Sequence, residues 1–231
     1  MFSNKNKIPK SQLPAPTKYT ELYYHQTPKE DRKWPDYINV VSIDPAIKNF
    51  AIRIEKWDIN GIISPIFFTK INLMPNENDS PYITLLNFFS TIKHHFLRTH
   101  IFVIEKQLPQ NYKCVRVSQH AISIFMTITA NTELLPSIYE VDSKLKGDYL
   151  GAPKSIGDKD LKKWAVDKAI ELCKARGDQF SLDVIEKTKK KNDFCDTLVQ
   201  VEALFGYVGI GVKDESCKIN SETYAIDDPI L

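Results

Sequence analysis

A chain of 231 residues that is 42% hydrophobic and 11% aromatic can bury the core of one large domain or two small ones. Its formal net charge of +2 neither demands nor excludes a nucleic-acid partner, because a balanced total can hide a basic face. No apolar run approaches the roughly 20 residues of a membrane span, and the N-terminus lacks the apolar stretch of a secretory signal. Cys114, Cys173, Cys195 and Cys217 form no C-x-x-C pair, which argues against a zinc site or a disulfide framework and for reduced, intracellular thiols. A cytoplasmic, nuclear or organellar location is expected.

Residues 1–36 hold many Pro, Lys, Asn and Gln and are read as a tail, with Tyr19, Leu22, Tyr23, Tyr24 and Trp34 available to dock on the domain. Glu21, Glu30 and Asp31 are atypical of a transit peptide. The domain is expected over 37–211. It opens with a strand that carries the apolar run Ile38 to Ile43 and ends at Asp44. Phe50 to Trp57 alternates as a second strand, Asn60-Gly61 is a hairpin-turn dipeptide, and Ile62 to Ile71 returns as a third. Ser80-Pro81 then starts a helix of about five turns that runs through Leu97. Ile101 to Ile104 is continuously apolar, as a strand buried on both faces should be, and ends at Glu105. A helix follows from Lys113 to Thr129, apolar around much of its circumference, so that one face is available for a subunit interface. Ser137 to Val141 is a fifth strand, and 142–157 a loop containing Gly and Lys. Asp158 caps a helix ending near Gly177, and the last helix runs from Asn192 to Tyr207. Residues 212–231 are expected to be irregular. Three meandering strands, a helix, a strand, a helix and a strand describe an α/β layer on a mixed five-stranded sheet, the order of the RNase H-like fold.

Four acids stand at the ends of these elements. Asp44 and Glu105 terminate apolar strands, and Asp193 and Asp196 lie three residues apart in the first turn of the last helix. A strand-end acid can simply mark the exit from a core, and first-turn acids complement the helix dipole. Two acids at i and i+3 also repel each other, however, and the apolar pattern turns their face toward the sheet. Clustered carboxylates need a cation between them, and their oxygens are hard ligands suited to Mg²⁺. Two such ions about 3.5–4 Å apart can hold the attacking and the leaving oxygen of a phosphodiester. Lysines crowd two stretches, Lys144 to Lys168 and Lys187 to Lys191, and the second leads directly into the Asp193/Asp196 pair.

The segments Ser42-Ile43-Asp44-Pro45-Ala46-Ile47-Lys48-Asn49-Phe50-Ala51, Ile104-Glu105-Lys106-Gln107 and Lys190-Lys191-Asn192-Asp193-Phe194-Cys195-Asp196-Thr197 resemble the RuvC-type Holliday junction resolvases. Leu150 to Lys154 and Leu161 to Ala165 resemble the poxvirus-like branch found in large DNA viruses, with the mitochondrial resolvases of fungi as cousins. The likeness covers roughly residues 38–208. It implies a homodimer that nicks two opposed strands of a four-way DNA junction with two Mg²⁺ ions, for which Mn²⁺ substitutes, and leaves 5′-phosphate ends. It implies Asp44, Glu105, Asp193 and Asp196 as metal ligands and catalytic residues. Lys48, Lys106, Lys144, Lys146, Lys154, Lys162, Lys163, Lys190 and Lys191 are the expected DNA contacts. Ala46 stands where the family often has Gly. A viral member would act at a cytoplasmic site of DNA replication, and a fungal-type one in mitochondria. Other readings of the same acids are a nuclease for flaps, hybrids or transposon ends, and a non-cutting junction-binding scaffold. An actin-like ATPase would need Gly-rich phosphate loops, and this chain has 8 Gly and no such loop.

Overall fold

The structure is a computed structural model that describes residues 18–22, 35–58, 60–154 and 157–210. Its elements in chain order are β1 (Tyr19–Leu22), β2 (Tyr37–Asp44), β3 (Phe50–Asp58), β4 (Ile63–Ile71), α1 (Pro81–Thr91), α2 (Lys93–Phe96), β5 (Ile101–Glu105), α3 (Tyr112–Thr129), β6 (Ser137–Val141), α4 (Leu145–Leu150), α5 (Asp158–Arg176), α6 (Gln179–Lys187) and α7 (Asn192–Val208). The strands form one mixed sheet in the order β1-β6-β5-β2-β3-β4. The β2-β3-β4 meander is antiparallel, and β5 and β6 add in parallel beside β2. The sheet thus has six strands where the pattern predicts five. The sixth, β1, lies inside the segment read as a tail and pairs antiparallel with β6. Four residues are too few to show a period, but Tyr19 packs on Tyr139 and Tyr207, with ring centroids 5.7 and 6.0 Å away.

Strand alternation sends successive side chains to opposite faces, and both faces are covered. On one face Val41 and Ile43 of β2, Ile52 and Ile54 of β3, and Phe102 and Ile104 of β5 pack against Leu85, Phe89, Phe96, Val117, Ala121 and Phe125 from α1 to α3. On the other, Val40, Trp57, Val103 and Tyr139 meet Leu145 of α4 and Val201, Leu204 and Phe205 of α7. Phe68 of β4 meets α5, α6 and the start of α7 through Ala165, Ala169, Ile185, Phe194 and Leu198. A buried Phe, Leu or Ile contributes about 1.5–3 kcal/mol each by leaving water.

The helices differ from the sequence reading in four places. The single helix expected after Ser80 breaks at Ile92, which leaves the helical region (φ −107°, ψ 11°). Seven residues of straight helix would rise about 10.5 Å. Across the break the Phe89 and Phe96 rings meet with centroids 4.8 Å apart. The 142–157 loop contains the short helix α4, which ends on Gly151 at φ +79°. Gly157, not Asp158, is the N-cap of α5, and α6 follows as an additional helix capped by the Asp178 side chain.

A polar cluster fastens β3 to α6. Arg53 is fully buried. It donates from Nε to Glu55 Oε2 (2.6 Å), from Nη1 to Ser181 Oγ (2.6 Å) and from Nη2 to Asp178 Oδ2 (2.9 Å). Trp57 Nε1 donates to the other Glu55 oxygen (2.7 Å), and the Arg53 guanidinium lies 4.9 Å from the Phe68 ring centroid. Among the described residues no helix is long and apolar enough to cross a membrane.

Candidate active site

Sheet register builds the first half of the site. Ile43 pairs with Ile104 across the parallel β2–β5 contact, so Asp44 and Glu105 follow side by side at the ends of neighbouring strands. Alternation places Asp44 on the face of Ser42, and Glu105 on the face of Val103, which is the face covered by α7.

Helix α7 builds the second half, and buried hydrogen bonds fix it to β2. Ser42 Oγ donates to the Thr197 carbonyl (2.7 Å), while Gln200 Nε2 donates to Ser42 Oγ (2.7 Å) and to the Ile43 carbonyl (3.0 Å). One turn N-terminal of these contacts are Asp193 and Asp196. Phe194 between them stacks edge-on against Phe68, ring centroids 4.6 Å apart, which sets the rotation of the helix.

The four acids form one electrostatic unit. The Asp44 carboxyl is raised well above the usual carboxylate range, first by burial and then by the charges of Glu105 and Asp196, against the pull of Lys146. Glu105 is raised by burial and by Asp196, again against Lys146. Asp193 is raised by burial and by Asp196, against Lys70, Lys190 and Lys162. The sequence-predicted acids are therefore brought together.

Lys146 is the site residue whose position the sequence did not reveal. Grouped there with the surface lysines, it is only 8% exposed and lies among the acids. Its Nζ donates to Glu105 Oε2 (2.9 Å) and Asp196 Oδ1 (2.6 Å). Burial disfavours its charge, but Glu105 and Asp196 more than reverse this and hold the ammonium form. Helix α4 carries it there, because Gly206 of α7 lets the Tyr149 ring sit where a Cβ would come within 2.4 Å. Lys70 of β4 is a second addition. Its Nζ lies 3.7 Å from Asp193 Oδ2 and donates to the Lys190 carbonyl (3.0 Å). Alternation from the buried Phe68 was the signal that placed Lys70 on this face.

The other lysines expected to contact DNA divide into two groups, the first joined by Lys189. Lys162 and Lys163 of α5 and Lys189, Lys190 and Lys191 before α7 line an open depression of about 320 Å³ with Val166 and Asn192. Lys48, Lys106, Lys144 and Lys154 are exposed and lie outside it.

The donor set suits a hard cation. Asp193 Oδ2 is buried without a hydrogen-bond partner, the four carboxylates repel one another, and an ammonium already sits between two of them. Among the described residues no three acids, imidazoles or thiols stand close enough to hold one ion with the side chains as they are, so ion binding requires them to draw together.

No protein-family model matches the chain. Uncharacterized protein 170L of Invertebrate iridescent virus 6 is 29% identical over 137 residues, which cover 52% of this chain and 56% of that protein. The chain thus spans about half the length of the curated relative it matches. Among solved structures, Thermus thermophilus RuvC aligns at a TM-score of 0.49 and 12% identity over 74% of this chain and 97% of its own. The same protein in complex with Holliday junction substrate aligns at 0.48 and 12% identity, over 74% of this chain and 96% of its own. The yeast mitochondrial Holliday junction resolvase Ydc2 aligns at 0.52 and 14% identity over 75% of this chain and 81% of its own. At that identity the likeness shows the fold alone, and the fold is the mixed RNase H-like sheet with flanking helices that this chain shares with the yeast resolvase.

Proposed function

We propose that this chain is a metal-dependent endonuclease that resolves four-way DNA junctions by paired, symmetric nicks. The observation that carries the reading is the convergence of Asp44, Glu105, Asp193 and Asp196 at one end of a resolvase-like sheet, beside a depression lined by five lysines. Asp44, Glu105, Asp193 and Asp196 would hold the ions. Bound Mg²⁺ or Mn²⁺ would lower the pKa of the attacking water and stabilise the departing 3′ oxygen, leaving a 5′-phosphate.

The protein supplies the rest. Ser42 and Gln200 hold α7 against β2, so the acids on the two elements keep their spacing. Lys162, Lys163, Lys189, Lys190 and Lys191 bind a DNA arm through its phosphates, with exposed Lys48, Lys106, Lys144 and Lys154 extending the contact. Such contacts carry no base code, so selectivity rests on junction shape and deformability. Two opposed nicks need two sites, hence a homodimer. We place the chain with the resolvases of large DNA viruses because its sequence relative is viral, and a cytoplasmic site of viral DNA replication goes with that reading.

The test is incubation of the purified chain with a labelled four-way junction, with and without Mg²⁺, beside duplex, flap and RNA–DNA hybrid. Symmetric nicks on the junction alone, lost in Asp44→Asn and Asp193→Asn with binding retained, are expected. Preferential cutting of another substrate refutes the junction specificity, and binding without cutting refutes the enzyme.

A further inference from the structure

We propose that Lys146 is a built-in counter-ion that occupies a cation position of the site, and that a metal ion binds there only by displacing it. The inference rests on the metal-dependent reading above. Its basis is geometric. The Lys146 ammonium is within 2.9 Å of Glu105 Oε2 and 2.6 Å of Asp196 Oδ1. An ion ligated by the same two oxygens would sit at about 2.0–2.1 Å from each, in nearly the same place. Two cations cannot share that space, for steric and for Coulombic reasons.

The lysine is held in place, not passing through. It projects from α4, which is fixed at its start by buried Leu145 and in its second half by the ion pair of Asp148 with Lys18 and the Tyr149 ring over Gly206. The ammonium therefore leaves by rotation of its own four-carbon stem, while α4 stays docked. Lys70 stands at Asp193 as Lys146 does at Asp196, but at 3.7 Å and without a hydrogen bond, so it is the weaker competitor. The arrangement offsets part of the repulsion among the metal-free acids. It also sets a threshold on ion concentration, because part of the binding free energy is consumed in breaking two charge-assisted hydrogen bonds.

Two measurements on the full chain test this. Mn²⁺ binding is titrated by electron paramagnetic resonance for wild type and Lys146→Met. In parallel, wild-type lysines are reductively methylated with and without Mn²⁺ and read by mass spectrometry. Lys146→Met is expected to bind Mn²⁺ about tenfold more tightly, equivalent to ~1.4 kcal/mol. Lys146 in wild type is expected to go from protected to reactive when Mn²⁺ is added. If wild type binds Mn²⁺ while Lys146 stays protected, or if the variant binds no more tightly, displacement is overturned and the metal reading stands. If neither protein binds Mn²⁺, both are overturned. The labelling arm decides alone should Lys146→Met fail to fold.

Discussion

Replacing Arg53 with Met is the most demanding test of how this fold is held. The guanidinium is fully buried and satisfies Glu55, Asp178 and Ser181 at 2.6, 2.9 and 2.6 Å. Met keeps much of the apolar stem but leaves two buried carboxylates without their cation. Removing one partner of a buried ion pair costs about 3–5 kcal/mol, because the remaining charge cannot be rehydrated. For a chain of this size each kcal/mol lowers Tm by about 2–4 °C, so a drop of roughly 6–20 °C is expected by differential scanning calorimetry. Neutralising both acids as well, in Arg53→Met/Glu55→Gln/Asp178→Asn, should recover most of the loss. Gln and Asn retain the oxygens that accept from Trp57 Nε1 and the Ser181 backbone amide. A single variant that loses less than about 1 kcal/mol, or a triple variant no better than the single, would refute the view that uncompensated charge is the cost.

Other perturbations probe the remaining parts. Gly206→Val places side-chain atoms against the Tyr149 ring, where even a Cβ lies 2.4–2.6 Å from ring atoms. An overpacking loss of about 1–3 kcal/mol by denaturant unfolding is expected. Lys189→Glu/Lys190→Glu/Lys191→Glu should remove three phosphate contacts and flatten the slope of log affinity against log salt by about 2.7, measured by fluorescence anisotropy; an unchanged slope places the DNA elsewhere. His100 is depressed by burial, and its Nδ1 accepts from the Asn39 amide, so the native state holds it neutral. The unfolded chain then binds more protons, and stability, full above pH 6.5, falls as the pH drops below that value. The urea midpoint should decline between pH 7.5 and 5.5, and less so in His100→Asn. Asp178 runs in the same direction at lower pH. Burial would raise it, but hydrogen bonds from Ser181 and the charge of Arg53 lower it, so its contribution is present above 3.8 and disappears on further acidification.

The sheet and the four acids were legible because both rest on short-range patterns. Runs such as Ile38 to Ile43 and Ile101 to Ile104 declare buried strands, and an acid at the end of each lands at a strand terminus whatever the packing. Lys146 was not legible. Nothing in Leu145-Lys146-Gly147 distinguishes it from the exposed Lys144 beside it; its burial follows from the docking of α4 on Gly206, a contact made across about 60 residues. Strand β1 was hidden because four residues carry no measurable period and its partner is 118 residues away at the Glu21–Tyr139 contact. Helix α6 was missed although it carries local signals, the Asp178 cap and an apolar face of Leu182, Val184 and Ile185, because it is only nine residues long and leads into a run of lysines.

Strand β1 has a consequence for handling the protein. Without it, β6 would present a row of unpaired amides and carbonyls along Ser137 to Val141, a template on which another chain's strand can add. The opposite margin of the sheet is guarded differently, by Pro65 and a register shift within β4. A chain shortened to begin at residue 36 would keep the acids and the lysine depression and still be prone to sheet-to-sheet polymerisation through β6. The Tyr19–Leu22 segment is, in this sense, the molecule's own protection against filament growth.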